Sequence, residues 1–261
     1  MNVKQFVTTY WKTLLFFALV GLVGGFFVGI YLLDSYPADI QQQLIEEVKN
    51  SGLNLPVDIF LGLVTAVQSM GYGFVLGVLG ILLAKKIGLW KDERTLEKQP
   101  LIWTGVIALV GGVGIIVPDL VFFGKYSQVI MDSYAVKPTI PYLIAMVTYG
   151  GVIEEVMLRL FMMSLVAFVI HLFFRKKYEK PTTWMFIVAN IISALLFAAG
   201  HLPTTAILMG LTPMIVFRCF LLNGSFGLMF GWLYRKYGLR YAMLAHGGCH
   251  VISKLIWILF V

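Results

Sequence analysis

Charged residues are scarce in this chain of 261 residues: they make up 13% of it, whereas hydrophobic residues make up 59%. The mean hydropathy is +0.87. A soluble domain cannot bury that much apolar surface, and the apolar runs reach the roughly 18–20 residues that cross a bilayer as a helix. The composition therefore excludes a soluble protein and predicts an all-α, polytopic transmembrane helical bundle.

Several types of catalytic and binding site are not supported, because the sequence lacks their characteristic residues. The only two cysteines, Cys219 and Cys249, lie in apolar runs, so buried small side chains are favoured over a disulfide or a thiol nucleophile. No Gly-x-Ser-x-Gly sequence accompanies the polar residues discussed below, which argues against a serine hydrolase. No phosphate loop, internal repeat or soluble domain is recognisable in the sequence.

The apolar residues fall into seven segments, which are separated mostly by short linkers. The first segment is too long for a signal-peptide core and no small-residue cleavage site follows it, so a retained span is expected. The segments cover residues 13–33, 57–84, 101–123, 142–174, 184–201, 205–234 and 241–261.

Basic residues alternate between the linkers. If each segment crosses once, one side of the membrane receives fourteen Lys and Arg residues and the other receives three. This asymmetry favours seven spans with a cytoplasmic N-terminus, and it accounts for the net charge of +7 without a nucleic-acid partner. Because organelle signals are lacking, we expect a multi-pass protein of a prokaryotic plasma membrane.

Charge does occur at one place inside the apolar run 142–174. The sequence Glu154-Glu155-Val156-Met157-Leu158-Arg159 holds two acids and a base, and charge in hydrocarbon is costly enough to indicate function by default. Positions four apart share a helix face, so Glu155 and Arg159 are predicted to pair. Glu154 projects elsewhere and is available as a general base. The alternative is a charge network that only fixes helix packing.

Histidine is also scarce, and three of the four histidines lie within or at the end of apolar segments. His246 and His250 are four apart, the spacing at which two imidazoles of one helix can share a metal. With His201 and Glu154 they form a candidate ligand set for a divalent metal such as zinc. The alternative is hydrogen bonding between helices by neutral histidines.

Other polar residues of the apolar runs receive structural interpretations. Asp119 follows Pro118 and is interpreted as the boundary of a segment. Lys254 lies one turn beyond His250 and is expected to snorkel or to pair within the bundle. Glycines at GxxxG spacing, such as Gly25 and Gly29, indicate close helix packing.

The order and spacing of the polar residues resemble the CPBP family of intramembrane proteases. This family includes the type II CAAX prenyl endopeptidases and bacterial proteins linked to bacteriocin self-immunity. Its motifs EExxxR, FxxxH and HxxxN (or HxxxD) read here as Glu154-Glu155-x-x-x-Arg159, Phe197-x-x-x-His201 and His246-x-x-x-His250. The resemblance covers roughly residues 140–255.

The resemblance implies hydrolysis of a peptide bond, with Glu154 activating a water and His201 assisting. His246 and the residue at position 250 would stabilise the oxyanion or hold a metal. The sequence departs from the family pattern at that last position, because His250 stands where Asn or Asp is expected. Histidine can donate to an oxyanion, but it can also bind a metal or titrate. The departure favours a metal-assisted mechanism and lowers the expectation of an active protease.

Straight helices would place two of the motif histidines at different depths. At 1.5 Å per residue, His201 lies about 25 Å from the basic end of its segment and His246 lies about 8 Å from the same side. The 36 residues from Leu202 to Tyr237 are long for one crossing, and Asn223-Gly224 is a turn signal. Eight membrane segments are therefore an alternative to seven, with 205–220 and 224–236 as separate segments.

The sequence thus predicts three N-terminal spans without a specific motif (1–137) and a helical catalytic core (138–261). The core is predicted to be an intramembrane endopeptidase acting on a membrane-embedded or membrane-tethered peptide or protein. Its predicted catalytic residues are Glu154, Glu155, Arg159, His201, His246 and His250. Two alternatives are a non-hydrolytic membrane scaffold or immunity factor, and a transporter that uses these acids and histidines as a proton relay.

Overall fold

The computed structural model describes residues 2–92 and 95–261. Within these ranges every regular element is helical, and seven helices are long and apolar enough to cross a membrane. The predicted all-α polytopic bundle is confirmed, and the protein is a multi-pass membrane protein. One basic residue of the predicted linkers, Arg94, lies outside the described residues.

Ten helices follow one another along the described chain. They are α1 (Val3–Ser35), α2 (Ala38–Asn50), α3 (Val57–Ile87), α4 (Lys98–Tyr126), α5 (Gln128–Ala135), α6 (Ile140–Phe174), α7 (Thr183–Gly200), α8 (Leu202–Met209), α9 (Pro213–Tyr237) and α10 (Leu239–Phe260). Three of them, α2, α5 and α8, are short. Helices α7 and α8 form one span that is interrupted at His201. Helices α3, α4 and α6 contain π-helical turns, which matter for the site below.

Basic linkers meet at one end of the bundle. Lys85 at the end of α3 donates a hydrogen bond to the hydroxyl of Tyr10 in α1, with Nζ and Oη 2.6 Å apart. Arg235 at the end of α9 donates to Thr183 Oγ1 at the start of α7 at 3.0 Å. Lys91 Nζ donates to a backbone carbonyl of α9. We expect this end to face the cytoplasm, because Lys and Arg accumulate on that side of membranes.

Glycines of the GxxxG pattern allow α1 to approach α3 closely. A Cβ at Gly25 would clash with the carbonyl oxygen of Thr65, and a Cβ at Gly29 would clash with the backbone one turn earlier in α3. Thr65 Oγ1 also donates a hydrogen bond to Gly25 O at 2.6 Å. Gly227 gives α9 a similar close approach to the backbone of α7 at Ala194, and Gly231 leaves space for the side chain of Asn190. Contact between backbones is thus the packing device that the spacing predicted.

The break predicted at Asn223-Gly224 is wrong. Helix α9 runs through this pair without interruption, and Asn223 Nδ2 donates to Cys219 O one turn earlier at 3.0 Å. In an apolar surrounding the helix satisfies every backbone group, which overrides the local turn preference. The chain breaks instead between α8 and α9, where Gly210 has a φ of +72° and Pro213 begins the next helix.

We expect Gly25→Ala to lower the free energy of unfolding by about 1–3 kcal/mol, since the added methyl meets a rigid backbone oxygen of α3. Thermal unfolding of the purified protein in detergent measures the change. Gly105→Ala is the matched control, because no atom lies within 4 Å of a Cβ built at that exposed position of α4. Equal unfolding temperatures for the two variants would contradict the packing role.

Candidate active site

Two π-helical stretches of α6 carry the acidic motif. Residues Met146–Glu154 and Val156–Met163 are wound as π-helix, and Glu155 lies at their junction. Such wide turns are rare and often mark functional sites. The glycines that precede the motif let α10 approach, because a Cβ at Gly151 would lie 2.9 Å from the Cα of Gly247. The motif therefore follows a close contact between α6 and α10.

Glu155 and Arg159 form a fully buried ion pair. Arg159 Nε lies 3.3 Å from Glu155 Oε2, and both side chains have a relative exposure of 0%. The structure thus brings together the two residues that the spacing of four predicted to pair. No hydrogen-bond geometry is reached by the guanidinium nitrogens toward any described residue. Charge neutralisation, rather than directed hydrogen bonding, holds this pair.

Aromatic rings from two other helices enclose the guanidinium. Arg159 Cζ lies 4.5 Å from the ring centroid of Phe197 in α7 and 5.5 Å from that of Phe230 in α9. A cation in front of an aromatic face is attracted by the ring quadrupole, and the attraction grows when water is excluded. The two rings therefore compensate part of the cost of burying Arg159.

His246 links the two acids of the motif. Its Nδ1 lies 2.9 Å from Glu155 Oε1, and its Nε2 lies 3.8 Å from Glu154 Oε2. The first distance is a hydrogen bond, in which Nδ1–H donates to the carboxylate; the second is too long for one. Fixing the proton on Nδ1 leaves Nε2 directed at Glu154. The imidazole is thus oriented by the buried acid and faces the more accessible one.

Three rings are stacked across α9 and α10. The rings of Phe230 and His246 are 4.5 Å apart and inclined by 19°, and those of His246 and His250 are 4.9 Å apart and inclined by 29°. His250 Nδ1 is buried without a hydrogen-bond partner among the described residues. A Cβ at Gly150 would lie 2.9 Å from His250 Nε2. The His250 ring therefore stacks on the His246 ring and occupies the space beside Gly150 of α6.

His201 reaches the same region through Phe197. His201 caps α7, and its Nδ1 lies 2.8 Å from the carbonyl oxygen of Phe197, so that the imidazole folds back along the helix. The Phe197 ring lies 4.8 Å from the His201 ring and 5.7 Å from the His246 ring. The Phe197 ring therefore contacts both imidazoles, and His201 and His246 lie in one region of the bundle despite the different depths that straight helices predicted.

The arrangement does not fit the four-ligand metal site. Among residues 2–92 and 95–261, no three His, Cys, Asp or Glu side chains are placed to hold one metal ion. The bond from His246 Nδ1 to Glu155 leaves Nε2 as the one ligand atom that His246 can offer, and the His250 ring is stacked on the His246 ring. Of the predicted ligands Glu154, His201, His246 and His250, the structure brings Glu154 to 3.8 Å from His246 and stacks His250 on His246. Metal assistance stays a hypothesis, and no step below uses it.

A second buried ionic cluster was missed by sequence reasoning. Asp119 lies inside α4 with 0% exposure and accepts two hydrogen bonds from the guanidinium of Arg218 in α9. Tyr134 of α5 donates to the same carboxylate at 2.7 Å. Burial, reinforced by the Asp119 charge, raises the pKa of Tyr134 and keeps the phenol a donor. The interpretation of Asp119 as a segment boundary was wrong, because α4 continues past Pro118 as a π-turn.

Lys254 is turned away from the histidines. Its Nζ lies 5.0 Å from the ring centroid of Tyr142 and 5.1 Å from that of Trp257, one turn farther along α10. These cation–π contacts account for a buried ammonium group.

Phe230 is a residue of the site that the sequence motifs did not indicate. It belongs to no recognised motif but contacts both Arg159 and His246.

Comparison with known families matches residues 136–252 to the family described as type II CAAX prenyl endopeptidase Rce1-like. The matched range contains all three motifs and helices α6 to α9, together with the part of α10 that carries His246 and His250. No curated protein and no solved structure matches the chain.

We expect Glu155→Gln to destabilise the protein by about 3–5 kcal/mol, because Arg159 then remains buried without its carboxylate. Adding Arg159→Met to that variant is expected to recover most of the loss. Unfolding of the purified protein in detergent gives both values, with Glu47→Gln on the exposed surface of α2 as the control. A double variant as unstable as Glu155→Gln alone would mean that the pair does not carry the effect.

Gly150→Ala is expected to cost about 1–3 kcal/mol, since the new methyl meets the imidazole of His250 while stacking prevents that ring from turning. The shorter side chain of His250→Asn relieves this contact, so the cost of Gly150→Ala is expected to vanish in that background. A double-mutant cycle on unfolding free energies measures the coupling. Additive effects would show that His250 does not occupy the space left by Gly150.

Proposed function

Because residues 136–252 belong to the CPBP family of CAAX-type intramembrane proteases, we propose that the protein hydrolyses a peptide bond of a membrane-associated substrate. The family assignment supports proteolytic activity in general terms. We further propose the roles of individual residues, a catalytic core at 138–261 and a class of substrate. These proposals rest on the geometry of the site.

The observation that carries the proposal is the different environment of two adjacent acids. Glu155 has no exposed atom and is committed to Arg159 and His246. The Glu154 side chain keeps a relative exposure of 18%, and its approach to His246 at 3.8 Å is its one ion-pair contact among the described residues. A reacting molecule can therefore reach Glu154 but not Glu155. This division gives Glu154 the role of general base and Glu155 the role of a positioning residue.

In the proposed reaction Glu154 accepts a proton from water as the water oxygen bonds to the carbonyl carbon of the peptide. The protonated Glu154 then gives this proton to the amine nitrogen as the C–N bond breaks. The 3.8 Å between Glu154 Oε2 and His246 Nε2 is a separation that one bridging water spans. His201, whose Nδ1 is held by its own helix, can orient the same water through Nε2.

The histidines of α10 are proposed to stabilise the oxyanion. A protonated His246 donates from Nε2 to the negative oxygen, and the Glu155 carboxylate on Nδ1 stabilises the charged ring, as a buried acid does in catalytic triads. His250 Nδ1 has no hydrogen-bond partner among residues 2–92 and 95–261, and this ring can donate as Asn would. Arg159 does not contact the reacting atoms in this scheme; it fixes Glu155.

The depth of the site limits the substrate. His246 lies seven residues from Leu239, the first residue of α10 at the basic end, which corresponds to about 10 Å along the helix. A peptide bond that is hydrolysed there must enter the membrane by a few residues from that face. We therefore propose a peptide anchored at the basic face, of which a lipidated C-terminal segment of the CAAX type is one example.

We expect Glu154→Gln to reduce cleavage by roughly 10²–10⁴-fold while leaving stability unchanged, because only the general base is lost. Release of fluorophore from a library of lipid-anchored peptides, in liposomes containing the purified protein, measures the rate. Glu47→Gln is the matched control. Cleavage by Glu154→Gln at the rate of the unaltered protein would overturn the base assignment.

A non-hydrolytic scaffold or immunity factor is the second candidate, and the observation that favours it is histidine at position 250. Here the variant His250→Asn discriminates. If the unaltered protein cleaves no peptide of the library and His250→Asn does, the chain has the architecture of the protease without its activity. If a cellular effect of the protein survives Glu154→Gln, that effect does not depend on hydrolysis.

A further inference from the structure

Two clefts adjoin at the basic end of α9, on the side away from the histidines. The first has a volume of about 350 Å³ and is lined by Trp232, Arg235 and Lys236. The second has a volume of about 310 Å³, and its lining is apolar: Trp103, Val106, Ile107, Val110, Met229 and Trp232. Trp232 lines both clefts, so a cationic pocket lies next to an apolar groove.

The cations of the first cleft have capacity for a ligand. Arg235 donates one hydrogen bond, to Thr183, out of the five N–H groups of a guanidinium. Lys236 Nζ lies 5.2 Å from the ring centroids of both Trp232 and Tyr237. In the part of the chain that the structure describes, no carboxylate forms an ion pair with either cation. The pocket therefore presents two positive charges to a group from outside the chain.

The groove runs from the basic end toward the middle of the bundle. Trp103 lies five residues after the start of α4 and Trp232 five residues before the end of α9, and their rings meet edge to face at 5.7 Å. From Trp103 to Val110 the helix rises by about 10 Å. Tryptophan is enriched where a membrane meets water, and the valines below it are exposed to hydrocarbon.

We propose that these clefts form a binding site for one anionic phospholipid. Its phosphate lies between Arg235 and Lys236, its glycerol lies against Trp232, and one acyl chain follows the groove between α4 and α9. Charge complementarity selects an anionic head group, because each Lys or Arg near the surface contributes about fivefold in affinity. The apolar groove selects a lipid over a soluble phosphate. The site is independent of the proposed hydrolysis.

Native mass spectrometry of the full chain tests the site, with phosphatidylglycerol and phosphatidylcholine of identical acyl chains as probes. The unaltered protein is expected to retain one phosphatidylglycerol in preference to phosphatidylcholine. Arg235→Gln combined with Lys236→Gln should lower this retention by at least about tenfold, since two charges are lost. Lys176→Gln with Lys177→Gln removes the same charge from an exposed loop and should retain the lipid.

A second variant tests the apolar groove without changing any charge. Val106→Phe with Val110→Phe fills the apolar cleft and is expected to reduce retention of phosphatidylglycerol by about tenfold as well. If it does not, or if glycerol 3-phosphate displaces the lipid, the site binds a head group alone. Equal losses for the Lys176/Lys177 and Arg235/Lys236 variants would show attraction to surface charge in general. Either result would overturn the proposal.

Discussion

The buried carboxylate of Glu155 lies near the centre of this site. Four helices supply the groups that compensate for the burial of this carboxylate and of its partner Arg159. Burying Glu155 and Arg159 removes two charges from water, at a cost that their mutual attraction repays only with good geometry and further partners. Helix α10 supplies one partner, the Nδ1–H of His246. Helices α7 and α9 supply aromatic faces for the guanidinium. The catalytic geometry that we propose is thus also the means by which the charge is tolerated.

Electrostatic pairing recurs farther along the bundle with different residues. Asp119 and Arg218 join α4 to α9, and Tyr134 brings α5 to the same carboxylate. Helix α9 therefore contacts both buried ionic clusters: Phe230 covers Arg159, and Arg218 pairs with Asp119. Its outer face carries the clefts of the proposed lipid site. A helix without a recognised motif is in this way the element that relates the three sites.

Local periodicity predicted what lies within one helix. The Glu155–Arg159 pair and the glycine faces of α1 and α9 follow from residue spacing, and hydropathy predicted the seven spans. Periodicity did not predict which side chains of different helices contact each other. His246 and Glu155 are 91 positions apart, and no local pattern indicates which of two acids a distant ring binds. Turn preferences failed for a related reason, since apolar surroundings enforce a helix through Asn223-Gly224.

The one-turn spacing of Glu155 and Arg159 also matters when α6 enters the membrane during synthesis. Helix α6 precedes α7, α9 and α10 in the chain, so it can reach the membrane before a histidine or an aromatic ring of those helices packs against its acids. A cation on the same helix is available at once, and it lowers the penalty that an isolated carboxylate would impose on insertion. The one-turn spacing therefore allows α6 to enter the lipid with the charge of Glu155 already compensated.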